Sequence, residues 1–127
     1  MDTSKLDRAL ATPDPNLAKW FEGDVLFQRL GPNNDIELLA VFFAQGSRTR
    51  PHIHPVDQVL YFVEGSGVVA TEDRLIHASA GDFVTIPAGT WHWHGATPTA
   101  TMTHISIKRP GPTNWDAEEK NWATQRE

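Results

Sequence analysis

The chain has 127 residues, a formal net charge of −5, six histidines and no cysteine. Without thiols it can form neither a disulfide nor a thiolate metal site, so any bound metal must be held by nitrogen and oxygen. Its eleven Lys and Arg are scattered among sixteen Asp and Glu, which leaves no basic footprint for nucleic acid, and no apolar run reaches the length of a membrane span.

A chain of this size buries roughly 70% of its unfolded surface, enough for one core. One domain over 1–127 is expected, with a peripheral segment at 1–23, a barrel at 24–110 and a tail at 111–127. The opening Met1-Asp2-Thr3-Ser4-Lys5 mixes charges and lacks the apolar stretch of a secretion signal, so a soluble cytoplasmic protein is expected. Thr12-Pro13-Asp14-Pro15 starts a short helical turn that runs through Trp20 and stops at Gly23. Strand patterns follow at 25–30, 36–44 and 58–64. The last leads through a turn at Gly65-Ser66-Gly67 into 68–71, and further strands are expected at 75–77, 83–86, 91–95 and 101–107. Short strands punctuated by Gly and Pro predict an all-β antiparallel barrel or sandwich. His77 falls on the surface of a hairpin. The tail, with Trp115 and Trp122, is expected to be a docked helix or a partly ordered end, and Glu118-Glu119 its solvated face.

Two histidine pairs, His52-Ile53-His54 and His92-Trp93-His94, stand about forty residues apart. Side chains two apart on a strand share a face, so each pair aims both imidazoles to one side. Gln58 follows the first pair and His104 lies on the strand after the second, so five of the six histidines can converge in one interior.

The block from Gly46 through His52, His54 and Gln58 to Gly65, and the block from Gly81 through Pro87 and Gly89 to His92, resemble the two signature motifs of the cupin superfamily. That resemblance implies a jelly-roll β-barrel. Gln58 stands where glutamate is commoner, and Ala96 where the second motif often ends in asparagine. A narrower resemblance, around Thr49, His92-Trp93-His94-Gly95-Ala96 and Met102-Thr103-His104, is to small bacterial cupins described as (R)-hydroxynitrile or (R)-mandelonitrile lyases. It implies metal ligands His52, His54, Gln58 and His92, and neighbouring functional groups at Thr49, His94 and His104. It also implies one divalent ion, manganese first and iron next; the nitrogen and oxygen donors also suit nickel and zinc.

Physical chemistry supports the metal independently of the family. Several imidazoles buried without an ion would leave polar nitrogens unsatisfied at a cost of about 1–3 kcal/mol each. Three neutral imidazoles and an amide leave the ion's double charge uncompensated, which favours anion binding or Lewis-acid work over oxygen activation. His94 faces the same interior as His92 without reaching the ion. Either it is a core histidine bonded to a backbone carbonyl, or it is a general base that takes a proton from a substrate hydroxyl. In the second case Thr49 would orient the substrate oxygen and His104 would tune or share the proton.

Residues 38–43 are apolar on both faces, so both are covered; in a chain this short a partner subunit is the expected outer cover, giving a homodimer or homotetramer. Leu39, Val41, Phe62 and Met102 are expected to line an apolar pocket for a small-molecule substrate. Trp91 and Trp93 should face outward, against another layer or subunit. Three functions follow in order: a lyase acting on the C–C bond of small cyanohydrins, a metal-dependent dioxygenase or isomerase acting on a small organic acid or sugar derivative, and a non-catalytic small-molecule binder.

Overall fold

The computed structural model describes residues 1–115. Its strands are β1 (Phe21–Glu22), β2 (Val25–Leu30), β3 (Glu37–Phe43), β4 (Arg48–Thr49), β5 (Gln58–Ala70), β6 (Leu75–Ser79), β7 (Phe83–Ile86), β8 (Trp93–Ala96) and β9 (Met102–Lys108). All strand pairs are antiparallel. They form one sheet in the order β2-β3-β9-β5-β7 and another in the order β1-β4-β8-β5-β6, joined through β5 into a jelly-roll barrel. Among the described residues no helix is long and apolar enough to cross a membrane.

Strand β5 explains the closure. Its first half pairs with β7 and β9, its second half with β6 and β8. The ladder slips between Phe62 and Glu64, and a bulge of one residue reverses which side chains face in. Leu60 and Phe62 enter the main core before the slip and Val69 enters it after, while Val68 and Ala70 join Trp93 in an outer cluster. Gly65 has φ +79°, and a side chain there would collide with the Thr101 carbonyl. The turn expected at Gly65-Ser66-Gly67 is therefore a bend within one strand. A glycine pair marks either event equally well in sequence.

The segment expected to be peripheral takes part in the fold. Asp14 caps α1 (Pro15–Ala18) by accepting from the backbone of Asn16 and Leu17. Phe21, on β1, packs its ring 5.3 Å from Phe27 and 5.9 Å from Phe43. Farther upstream, Thr12 bridges to Phe27, Gln28 exchanges hydrogen bonds with Asp7 and Lys5, and the Arg8 guanidinium lies 5.5 Å over Phe42. Over Phe42 the cover expected from a partner is thus the chain's own N-terminal segment. Trp93 is fully buried under the Arg48 guanidinium, which lies 4.8 Å above its ring. At the other end, Asn114 bridges to Ile53. The helix expected farther along, with Trp122 and Glu118-Glu119, lies outside the described residues.

Candidate metal centre

His52 and His92 face each other across an isolated antiparallel bridge, each backbone N–H donating to the other's carbonyl at 2.9 and 3.0 Å. This bridge brings the two sequence motifs together. His54 shares the face of His52, and one nitrogen from each of His52, His54 and His92 lies within 4.8 Å of the others. All three are buried, and Gln58 beside them is 4% exposed.

Hydrogen bonds behind the rings decide which nitrogens converge. His52 Nδ1 donates to the Arg50 carbonyl at 2.7 Å and His92 Nδ1 to the Thr90 carbonyl at 2.8 Å. A carbonyl only accepts, so Nδ1 carries the proton and Nε2 the lone pair in each neutral ring. His54 Nδ1 lies 3.1 Å from Thr113 Oγ1, and among the described residues its buried Nε2 has no partner. The rings are neutral at pH 7. Burial pushes His54 and His92 down to about 4, and burial, then the neighbouring His92, holds His52 well below the usual range.

Gln58 completes the set. Its Nε2 donates to Ser106 Oγ at 2.7 Å, which turns Oε1 toward His92 Nε2 at 3.1 Å. With the His92 proton on Nδ1, two lone pairs face each other. A cation between them removes that repulsion, and ligand bonds of about 2.1 Å at right angles would separate two donors by about 3 Å. The residues present therefore fit a divalent ion held by His52, His54, His92 and Gln58.

His94 and His104 form a second buried group. His104 Nε2 lies 2.9 Å from His94 Nδ1, and the His94 backbone N–H donates to Thr49 Oγ1 at 3.1 Å. His94 Nε2 has no partner among the described residues. Burial, then the neighbouring His104, holds His94 well below the usual imidazole range, and burial pushes His104 down to about 4. The His94 ring is 5.3 Å from that of His52 and 5.7 Å from that of His92, close to the metal donors but outside their set.

Both groups open into a cavity of about 150 Å³, whose walls include Thr49, Leu39 and Val41. Phe62 and Met102, expected in its wall, are not there. They are fully buried in the core, where the Phe62 ring meets His104 edge-on at 5.6 Å. Successive inward residues of β5 and β9 descend into the barrel, and only those near the open end reach the cavity. Sequence reasoning missed Ser106, Thr113 and Trp115. Ser106 was within reach, since period two along β9 puts it on the face of His104. Trp115 lies 4.3 Å ring to ring from His52 and stacks on Trp20 at 5.4 Å. It and Thr113 come from irregular chain, where no periodicity signals a contact.

The sequence model of the Cupin domain family matches residues 40–108, from within β3 through β9. The chain is 39% identical over 95 residues to the (R)-mandelonitrile lyase of Granulicella tundricola, covering 72% of each protein. It is 34% identical over 84 residues to the acireductone dioxygenase of Sulfurihydrogenibium sp., covering 61% of this chain but only 46% of that enzyme. A cupin-like protein from Thermotoga maritima, 29% identical, superposes with a TM-score of 0.75 over 82% of this chain and 84% of its own. With the paired motifs folded into one buried nitrogen cluster inside a jelly roll, the chain belongs to the cupin domain family.

Proposed function

We propose that this cupin is a metal-dependent lyase that cleaves or forms the C–C bond of small cyanohydrins, with His94 as its general base. The observation that carries this reading is His94 Nε2, which has no partner among the described residues and is buried in the same cavity as the donor set. The wiring of the pair suits proton abstraction. Where His104 Nε2 accepts from His94 Nδ1–H, His94 Nε2 presents a lone pair to the cavity. A substrate hydroxyl transfers its proton there, its oxygen becomes the carbonyl, and the pair of the broken C–C bond leaves with the nitrile as cyanide. Thr49 Oγ1 already accepts from the His94 backbone, so its own hydrogen is available to the substrate oxygen. A bound dication would supply Lewis acidity for the negative charge that develops.

The relative named (R)-mandelonitrile lyase supports the lyase; those named acireductone dioxygenase support an oxygenase as the second reading. The resemblance to the mandelonitrile-lyase cupins puts Mn(II) first and Fe(II) next, and the nitrogen and oxygen donors also suit Ni(II) and Zn(II). Elemental analysis of purified protein, followed by benzaldehyde release from mandelonitrile by native and metal-stripped samples, tests the reading. Release that stops on stripping and returns with Mn(II) is expected; release indifferent to stripping overturns it. Oxygen uptake with organic-acid substrates would favour the second reading.

We also propose a homodimer or homotetramer. Phe83 is 66% exposed and stacks on Tyr61 at 4.4 Å on the outer face of β5 and β7, an apolar surface suited to a second copy. Light scattering at micromolar concentration checks this, and a monomer contradicts it.

A further inference from the structure

We infer that the substrate of this centre carries a carboxylate and that Lys108 binds it. The inference rests on the reading above that the metal centre holds the reacting end, and it adds the chemical class of the other end. Strand β9 directs Met102, His104, Ser106 and Lys108 into the barrel. In register, Lys108 lies between Glu37 of β3 and Gln58 of β5. A lysine is thus paired in register with a candidate metal ligand. Its side chain is only 9% exposed, unusual for lysine, and it lines the cavity.

Glu37 Oε1, 3.2 Å away, takes one of its three N–H donors and is its one hydrogen-bond partner among the described residues. Glu37 is 34% exposed, so this carboxylate belongs to the mouth. Arg29 lines the same cavity. Two cations against one carboxylate leave one positive charge in excess, and a ligand set of three imidazoles and an amide adds no anion to offset a dication. A neutral cyanohydrin makes no use of this excess. A cyanohydrin that bears a carboxylate does, as does the oxo-carboxylate left by its cleavage, with the carboxylate on Lys108 and the apolar side against Leu39 and Val41; lactate carries the same hydroxyl and carboxylate.

The test is calorimetric titration of the Mn(II)-loaded protein with lactate and with lactamide, its neutral counterpart, with metal content measured in every variant. Lactate should bind more tightly than lactamide. Lys108→Met should weaken lactate by about ten- to a hundredfold, the loss of a charge-assisted hydrogen bond, and lactamide far less. Glu37→Gln should strengthen lactate by removing the competing carboxylate. If Lys108→Met does not fold, Glu37→Gln decides alone. Lactate affinity lowered by Glu37→Gln, or unmoved by it, overturns the inference and leaves the ion pair as a clasp at the barrel end. Wild-type protein that binds lactate in this way yet releases no benzaldehyde from mandelonitrile overturns the lyase and keeps the carboxylate. Protein that releases benzaldehyde but binds lactate and lactamide alike does the reverse.

Discussion

The barrel holds two histidine groups side by side that are wired in opposite ways. In the trio of His52, His54 and His92 each Nδ1 is tied to a group outside the cluster, a carbonyl or the Thr113 hydroxyl, and the remaining nitrogens converge. In the pair, His94 and His104 are bonded to each other, so one nitrogen of His94 is left to face the cavity. The same residue type at the same burial thus serves two chemistries. What separates them is where the second nitrogen of each ring is anchored, because that fixes the position of the proton.

Single substitutions should break this comparison cleanly. His92→Ala removes a ligand and should leave purified protein essentially without metal and without activity. His94→Ala should keep its metal by elemental analysis while lyase turnover falls by about 10²–10⁴, the usual contribution of a general base. Metal lost from both variants, or turnover intact in the second, would erase the distinction.

Acid should act next most strongly, through both groups. Their unfolded rings titrate near 6.5, whereas in the fold burial pushes His54, His92 and His104 down to about 4 and holds His52 and His94 well below the usual range. The unfolded chain therefore binds more protons between these values, and stability rises with pH across that window. Metal-free protein should have its full stability above pH 6.5 and lose up to about 1.4 kcal/mol per pH unit for each histidine as pH falls toward 4. Denaturant melts at pH 7 and pH 5 measure this, and equal midpoints would contradict it. Bound metal should protect the trio but not the pair, so its addition should reduce the slope without abolishing it.

Much of the centre was visible in the sequence because it obeys period two. His52 and His54, His92 and His94, and His104 each sit on one face of an extended segment, and strand pairing needed only to bring those faces together. Apart from Ser106, what escaped detection obeys no period. Thr49 was expected to orient substrate, but its hydroxyl also supports the His94 backbone, a contact that depends on how two motifs dock. Phe62 and Met102 share a face with cavity residues yet lie too deep, because alternation gives the side of a strand and not the depth along it. The two-residue strands β1 and β4 are too short to leave a pattern. The N-terminal segment over Phe42 shows a covered face without revealing what covers it.

Thr113 tests whether a residue from irregular chain belongs to the trio's wiring. Thr113→Val keeps the shape and removes the oxygen that anchors His54 Nδ1. Mn(II) affinity, measured by spin resonance of the free ion, should fall by about tenfold, the lower end for losing a ligand's hydrogen-bond partner. Unchanged affinity would show that the anchor is incidental.

The smallest effect is expected at Ser106. Its hydroxyl accepts from Gln58 Nε2 and so keeps the amide oxygen on the side of His92. Ser106→Ala lets the amide turn over and offer an N–H to the His92 lone pair, which competes with the ion. The cost should be one neutral hydrogen bond, about 1 kcal/mol or roughly fivefold in metal affinity. A carboxylate has an oxygen at either end, so turning it over changes nothing. In a Gln58→Glu background the same Ser106→Ala change should therefore lose most of its effect. A double-mutant cycle that found it undiminished would mean that Ser106 only fills space, and that the amide's orientation is set elsewhere.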